Sequence, residues 1–188
     1  GVPALLGIAG DRTQDVESML DRALESGTDW LVSSGGVSVG AFDFVRRVVE
    51  RHGEISFWKV NMRPGKPLCF GHYRGTPFLG LPGNPVSAMV SFEVFARPVL
   101  QKLGGRCNLG KPSVEVTVLD EFASDGRESY LRVMVCREDD GFVAHSVGSQ
   151  DSGILTSLVR ANALLMVPAG ETHVAVGRRM KAWMLDWV

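Results

Sequence analysis

Residues 30–49 read WLVSSGGVSVGAFDFVRRVV, and this stretch decides the fold. Its start, Trp30 to Val32, is a short apolar run that predicts a buried strand, and a glycine-rich loop from Ser34 to Gly40 follows. Beyond the loop, apolar residues return at helical spacing, at Phe42, Val45, Val48 and Val49. A strand, a glycine loop and a helix in this order predict an α/β unit.

The flanking segments extend the same alternation. A helix is predicted over Asp11–Gly27, with Asp11 and Thr13 as candidate caps and Gly27 as its stop. Ile55–Val60 and Phe78–Leu81 are short apolar runs typical of strands, and a further helix follows Pro82. We therefore expect a parallel or mostly parallel sheet between two layers of helices, a three-layer α/β domain.

The apolar period changes to two after Gly105, which predicts a second domain. Strands are expected around Val114–Val118, Leu131–Val135 and three later apolar runs, 142–147, 163–167 and 180–185. A short helix is expected near Ile154–Arg160. The predicted domains are an α/β domain over residues 1–108 and a small β-rich domain over residues 109–188.

Composition narrows the classes of function. The formal net charge is −1, from 20 basic and 21 acidic residues, which excludes an overall basic field for nucleic acid or an anionic membrane. Three widely spaced cysteines argue against a disulfide framework, so we expect a cytoplasmic protein. No apolar run reaches the roughly 20 residues that span a bilayer. Any anion site must therefore be local.

The glycine loop is the first candidate site. It lies where a strand ends and a helix begins, the place where open α/β sheets bind ligands. Glycines there let backbone N–H groups approach an oxyanion, so Ser34, Gly35, Gly36 and Ser38 are candidate substrate-binding residues. A tight turn without a ligand is the alternative, and the glycines alone do not decide between the two.

Asp43 follows the loop at the predicted start of the helix. It is a candidate helix cap or a carboxylate favoured by the helix dipole. It is also a candidate ligand for Mg²⁺, because this ion is commonly held by one or two carboxylates together with substrate phosphates. The two interpretations are compatible.

Two cations frame a stiff turn at residues 63–67, RPGKP. Prolines restrict the backbone, so Arg63, Lys66 and Pro67 are candidates for a fixed oxyanion clamp, with a solvated surface turn as the alternative. A second strand-to-helix turn, LPGNPVSA, adds further candidate substrate-binding residues, namely Pro82, Gly83, Asn84, Pro85 and Ser87. For these the alternative is a capped helix start.

Three segments in this order, SGGVSVGAFDF, RPGKP and LPGNPVSA, resemble the MoeA/gephyrin E-domain family, the molybdopterin molybdenumtransferases. The later segment GSQDSG (residues 148–153) also resembles the last domain of that family. The resemblance implies a molybdopterin-binding α/β domain followed by a β-rich domain. It also implies that the chain is the C-terminal portion of such a protein, without the first strand and helix of the α/β domain.

The activity that the resemblance implies is insertion of molybdate into adenylylated molybdopterin, with Mg²⁺ as cofactor and release of AMP. Asp43 and Lys66 would be catalytic, Asp43 would bind the metal, and Ser38, Arg63 and Ser87 would surround molybdate and phosphate. The intact protein would be a homodimer. Two alternatives remain, a gephyrin-like scaffold and a domain that binds or adenylylates molybdopterin without inserting the metal.

Overall fold

The computed structural model describes residues 1–36 and 43–185 and divides them into two compact units. The first unit contains residues 1–60 and 65–106, and the second contains residues 61–64 and 107–188. The sequence did not predict that the short segment Asn61–Pro64 joins the second unit. Predicted features at residues 37–42, including Ser38 and Phe42, lie outside the described residues.

The elements up to residue 106 are α1 (Thr13–Glu25), β1 (Leu31–Ser34), α2 (Phe44–His52), β2 (Gly53–Trp58), β3 (Met62–Arg63), β4 (Cys69–Tyr73), β5 (Thr76–Leu81), α3 (Pro85–Ser91), a π-helical turn (Phe92–Ala96) and α4 (Arg97–Leu103). All except β3 belong to the first unit. The predicted helices and strands are therefore present in this unit, and β4 is an addition.

Helix α1 forms because its apolar residues recur on one face. Val16, Leu20 and Ala23 are buried, and Gly27, with a φ of 73°, follows the last turn in a conformation that favours glycine. The predicted caps are wrong, since Arg12 is the N-cap residue and no side chain makes a capping hydrogen bond. The first turn is instead accompanied by an ion pair between Arg12 and Asp15, at 2.9 Å.

The sheet of the first unit has the order β1-β5-β4-β2. Among the strands that the structure describes in this unit, only β1 and β5 pair in parallel, and the other two pairings are antiparallel. The predicted mostly parallel sheet is therefore wrong. The reason is the two-residue turn Arg74-Gly75, with φ values of 46° and 86°, which joins β4 to β5 as a hairpin.

Strand β4 escaped prediction because its sequence, CFGHY, contains a glycine and a histidine. Gly71 is required there, since a Cβ atom would lie 2.0 Å from the Glu54 carbonyl oxygen of the neighbouring strand. The strand still alternates, with Cys69, Gly71 and Tyr73 buried and the two residues between them half-buried. Packing between strands thus decided an element that side-chain hydropathy did not mark.

Two apolar clusters form the core of the first unit. One includes side chains from α1, α2, β1 and β5, with Val16, Val49, Leu31 and Phe78 among its members. The other includes Leu68, Leu79, Leu81 and Ala96, with aromatic side chains packed around them. Adjacent residues of β5 enter different clusters, as expected for a strand with both faces covered.

The second unit contains β3 and the elements β6 (Ser113–Val118), β7 (Phe122–Ala123), β8 (Glu128–Glu138), β9 (Gly141–Ser146), α5 (Thr156–Arg160), β10 (Ala163–Val167), β11 (His173–Val174) and β12 (Arg179–Met184). The predicted β-rich domain and its short helix are confirmed. Strand β8 pairs with β9 through its second half and with β10 through its first half, which closes the order β10-β12-β6-β9-β8 into a barrel-like ring.

The core of this unit lies inside the ring and contains Val116, Leu131, Val133, Ala144 and Leu165, each almost fully buried. Strand β3 adds to the start of β8 in parallel, with Met62 opposite Glu128 and Arg63 opposite Ser129. The pairing therefore holds Arg63 on the second unit. Of the helices that the structure describes, none is long and apolar enough to cross a membrane.

Candidate functional site

The two predicted ligand loops of the first unit lie side by side, because the strands that precede them are parallel neighbours. Ser34, the last residue of β1, is opposite Leu81, the last residue of β5. The Gly35 amide donates a hydrogen bond to the Leu81 carbonyl oxygen at 3.0 Å, and the Ser34 hydroxyl donates to the Pro82 carbonyl oxygen at 3.0 Å. The carboxyl ends of both strands thus open onto one edge, where α/β sheets bind ligands.

Two glycines make this edge a backbone surface. A Cβ atom on Gly83 would lie 3.4 Å from the Gly35 Cα atom, so the two loops approach each other closely. Gly35 also has a φ of 89°, a conformation that disfavours other residues. Gly83 is exposed, so its backbone is open to an anionic ligand, whereas the Gly35 amide is already bonded to the Leu81 carbonyl oxygen.

Gly36 connects the loop to helix α2. It has a φ of 68°, and a Cβ atom there would lie 2.6 Å from Cγ2 of Val45. Its carbonyl oxygen accepts a hydrogen bond from the Arg46 amide at 3.4 Å. The loop therefore rests on the first turn of the helix, and only glycine fits this position without displacing the stiff Val45 side chain.

Asp43 is the N-cap residue of α2, but its side chain makes no capping hydrogen bond. Its carbonyl oxygen accepts from the Arg47 amide at 3.2 Å, so the backbone of Asp43 begins the helix. The residue is only 8% exposed. Within residues 1–36 and 43–185, no hydrogen bond or ion pair to its carboxylate is found, although burying a carboxylate without a partner is costly.

The Asp43 carboxylate fits a magnesium site that is completed by substrate and water better than a site made of protein ligands alone. Among the described residues, no group of three or more His, Cys, Asp or Glu side chains could hold a metal ion. Mg²⁺ typically keeps one or two protein carboxylates and completes its shell with water and substrate phosphates. Asp43 could supply such a carboxylate beside the glycine edge.

The second loop is organised as a helix cap. The Asn84 side-chain oxygen accepts from the Val86 and Ser87 amides at 3.1 and 3.4 Å, and Pro85 begins α3. Pro82 and Ser87 are buried, while Gly83 is exposed. The structure thus gives Asn84 a structural role, and its predicted contact with substrate stays a prediction.

Ser33 was not singled out by sequence reasoning. Its hydroxyl oxygen is buried and has no hydrogen-bond partner within the part of the chain that the structure describes. It lies in β1 opposite Gly80, one residue before the loop. Its only signal in the sequence was its position directly after the apolar run Trp30–Val32.

Lys66 is exposed at the base of the RPGKP turn, and Pro67 is half-buried. The Lys66 carbonyl oxygen accepts from the Val60 amide at 3.0 Å, and the Leu68 carbonyl oxygen accepts from the Lys59 amide at 2.9 Å. Lys59 therefore lies on the same ladder as Lys66, and its ammonium group lies over the Trp58 ring, 4.1 Å from the ring centroid. Lys59 was missed because its φ of 74° is a tertiary feature that no motif encodes.

Arg63 lies in β3 of the second unit, with a side chain 37% exposed. Among the described residues, the carboxylate oxygen nearest to Arg63 Nη1 is Oδ2 of Asp125, at 3.9 Å. Arg63 and Lys66 therefore belong to different units. Their predicted joint action as a clamp stays a prediction.

Arg132, on β8, is a buried cation that sequence reasoning also missed. It is 1% exposed, and its guanidinium donates to the Ser157 hydroxyl and to the Asp151 carbonyl oxygen, each at 3.1 Å. Burial, with a smaller effect of Arg63, lowers the pKa of Arg132 to about 10, so it remains protonated at neutral pH. The strand alternation places Arg132 on the outer face, but the segment around Gln150 covers that face.

The class of protein is thus a two-unit chain in which an α/β unit with glycine loops at its strand ends is followed by a closed β unit with buried and exposed arginines. Residues 2–102 match the family model described as a probable molybdopterin binding domain. Residues 115–185 match the model described as the MoeA C-terminal region, domain IV. The chain belongs to the MoeA/gephyrin family.

Individual relatives agree with this assignment. The chain is 39% identical to a molybdopterin molybdenumtransferase of Nostoc sp. over 183 residues, which cover 94% of this chain and 42% of the relative. It is 37% identical to gephyrin of Dictyostelium discoideum over 207 residues, which cover 96% of this chain and 29% of the relative. The chain thus spans less than half the length of these relatives.

Solved structures with the same fold include a molybdopterin biosynthesis MoeA protein from Pyrococcus horikoshii. Its TM-score is 0.77 at 26% identity, over 95% of this chain and 42% of that one. A molybdenum cofactor biosynthesis protein from Pyrococcus furiosus has a TM-score of 0.74 at 26% identity, over 98% of this chain and 59% of that one.

Proposed function

We propose that this chain is the molybdopterin-binding and C-terminal part of a molybdopterin molybdenumtransferase. The reaction would insert molybdate into adenylylated molybdopterin during molybdenum cofactor biosynthesis and release AMP. The first unit would be the three-layer molybdopterin-binding domain of this enzyme, and the intact protein would act as a cytoplasmic homodimer. Relatives that carry the transferase name, such as the one from Nostoc sp., support this proposal.

The observation that carries the proposal is the edge formed by β1 and β5. Two glycine loops meet there with their backbones in close approach, and the loop from β1 leads to a buried carboxylate, Asp43, that no described residue pairs. A scaffold surface has no need for such a carboxylate, because an unpaired buried charge only lowers stability. A ligand that brings positive charge or a metal ion would compensate it.

Binding of an oxyanion would use three kinds of group: backbone amides, cationic side chains and a hydroxyl. Backbone N–H groups of the two glycine loops, other than the Gly35 amide that bonds to Leu81, would orient it, and Lys66 would neutralise part of its charge. Arg63, on the second unit, is proposed to bind an oxyanion as well. The buried Ser33 hydroxyl, which has no partner in the described residues, is available as a further donor at the same edge.

Mg²⁺ would be held by the Asp43 carboxylate together with substrate oxygens. When bound, the ion would neutralise the phosphate charge and make the phosphoanhydride more susceptible to attack. The chain itself would supply placement and charge: the glycine edge fixes the phosphates, and the cations balance the oxyanions. No covalent nucleophile is required of the protein.

The test uses the full-length protein, purified and incubated with adenylylated molybdopterin, Mg²⁺ and molybdate. We expect release of AMP and formation of molybdenum cofactor, both dependent on molybdate. Formation of adenylylated molybdopterin from ATP and molybdopterin, without metal insertion, would instead support the adenylylating alternative. A folded, ligand-binding protein that carries out neither reaction would support the scaffold alternative.

A further inference from the structure

The turn between β7 and β8 contains an arginine that pairs with both oxygens of a carboxylate. The Arg127 guanidinium contacts both oxygens of Asp125, with Nε at 3.1 Å from each and Nη2 at 2.5 Å from Oδ2. The Arg127 amide also donates to Oδ1 at 3.2 Å. This pairing lowers the pKa of Asp125 to about 2, mainly through the side-chain hydrogen bonds from Arg127. The carboxylate is therefore ionised and engaged.

The same arginine reaches strand β3. Its Nη1 donates to the Met62 carbonyl oxygen at 3.0 Å, although the two residues are 65 positions apart. The turn that carries Arg127 is itself anchored, since the Ser124 amide donates to the Thr172 carbonyl oxygen at 2.9 Å and the Gly126 carbonyl oxygen accepts from Gly170 at 2.8 Å. Arg127 thus ties β3 to a fixed part of the second unit.

Arg63 is the next residue on β3, and Asp125 is its nearest ionic neighbour. The Arg63 Nη1 atom lies 3.9 Å from Asp125 Oδ2, beyond hydrogen-bond distance. The Arg63 guanidinium donates no hydrogen bond within residues 1–36 and 43–185, and 37% of its side chain is exposed. Because Asp125 is already paired with Arg127, the neighbouring Arg63 guanidinium is available to a ligand.

We propose that Arg127 is a positioning residue for binding of the oxyanion. It pairs with the Asp125 carboxylate and anchors the Met62 carbonyl oxygen, so that the Arg63 guanidinium remains available to molybdate or a similar tetrahedral oxyanion. The inference rests on the oxyanion role of Arg63 in the proposed function. It adds a residue from outside the quoted motifs and assigns it an effect on affinity for the anion.

Loss of Arg127 has a definite physical consequence. The Asp125 carboxylate loses its main partner and pairs with Arg63, the remaining cation close to it, which cancels the charge that the oxyanion needs. The tether to Met62 is lost at the same time. Neutralising Asp125 in the same protein removes the competing charge, so a second substitution restores anion binding that the first one weakened.

The experiment measures tungstate binding to the full-length protein by isothermal titration calorimetry, a readout that does not require turnover. The variants are Arg63→Ala, Arg127→Ala, Asp125→Asn and the double variant Asp125→Asn/Arg127→Ala. The matched control is Arg179→Ala, which breaks an exposed arginine–carboxylate pair with Glu115 at 3.0 Å in the same unit. The molybdate concentration for half-maximal AMP release is measured in parallel.

Arg127→Ala is expected to raise the Kd for tungstate roughly fivefold, the range of an ion pair at a partly exposed site. The double variant should return to within about twofold of the wild type, and Arg179→Ala should have no effect. Equal weakening in the single and double variants, or no weakening in Arg127→Ala, overturns the inference. Unchanged binding in Arg63→Ala overturns the oxyanion role of Arg63 and this inference with it, whereas absent AMP release with the expected Kd pattern counts against the proposed reaction alone.

Discussion

The two units expose candidate binding groups by different means. In the first unit the site is built from backbone, where Gly35 and Gly83 meet at the ends of two parallel strands. In the second unit the candidate group is a side chain, Arg63, which lies beside Asp125 on a strand that Arg127 anchors through the Met62 carbonyl oxygen. Backbone donors need no further support once the loop is formed, whereas a long cationic side chain must be held by other groups.

This difference also decides how readable each site is in the sequence. A backbone site requires glycine and proline at adjacent positions, so it leaves a local motif such as SGG or PGNP. The arginine contacts connect residues far apart in the chain, 65 positions for Arg127 and Met62 and 25 for Arg132 and Ser157. No local pattern records such pairs.

The largest change in the free energy of unfolding is expected at Arg132. Replacement by Ala should lower the free energy of unfolding by about 4 kcal/mol, because it leaves a cavity under the segment around Gln150. Replacement by Met should change it by less than about 1 kcal/mol, because a buried charge can be exchanged for an apolar side chain of similar volume with little loss. Denaturant unfolding of both variants measures the difference.

The partners of Arg132 make the Met variant tolerable. The Ser157 hydroxyl also donates to the Ile154 carbonyl oxygen, and the Asp151 carbonyl oxygen also accepts from the Ile154 amide, so neither is left without a partner. A Met variant of normal stability would show that the fold of this unit does not need the buried charge. Equal destabilisation by Met and Ala would show that Arg132 is a structural residue.

A smaller effect is expected at the backbone site. Gly36→Ala should lower the free energy of unfolding by about 3 kcal/mol, the sum of a left-handed conformation and a contact with Val45 that overpacks the site. The matched control is Gly27→Ala, whose φ of 73° is similar and whose Cβ atom would meet nothing within 4 Å. The control should cost only about 1 kcal/mol, the conformational part alone. Equal effects of both variants would show that packing of the loop against α2 adds nothing to the cost of the substitution.

Much of the fold was predictable because it rests on local patterns. The 3.6-residue period marked α1, and the period of two marked β6 and β8, since each element buries one regular face. Strand β4 was not predictable, because Gly71 is selected by the close approach of β2, a contact between strands. For the same reason, the antiparallel hairpin at Arg74-Gly75 and the pairing of β3 with β8 became visible only in the structure.

The candidate site follows the same division. The glycine loops and Asp43 were identified from composition and position, and the structure brings the two loops together at one edge of the first unit, while Asp43 begins the helix against which Gly36 packs. Lys59 and Arg132 were missed because their conformation and burial depend on packing partners that lie elsewhere in the chain. The sequence could not show that the Asp43 carboxylate is buried without a partner among the described residues, because this depends on how the surrounding groups pack.

Whether the Asp43 carboxylate serves the reaction is tested most directly by AMP release from the Asp43→Asn variant of the full-length protein. Because the Asp43 side chain makes no capping hydrogen bond, the substitution should change the free energy of unfolding by less than about 1 kcal/mol. It should nevertheless reduce Mg²⁺-dependent AMP release from adenylylated molybdopterin by at least about 100-fold, since an amide is a poor ligand for this ion. Asp29→Asn, an exposed aspartate of the same unit, should behave as wild type. Normal AMP release by a folded Asp43→Asn variant would show that this buried carboxylate does not serve the reaction.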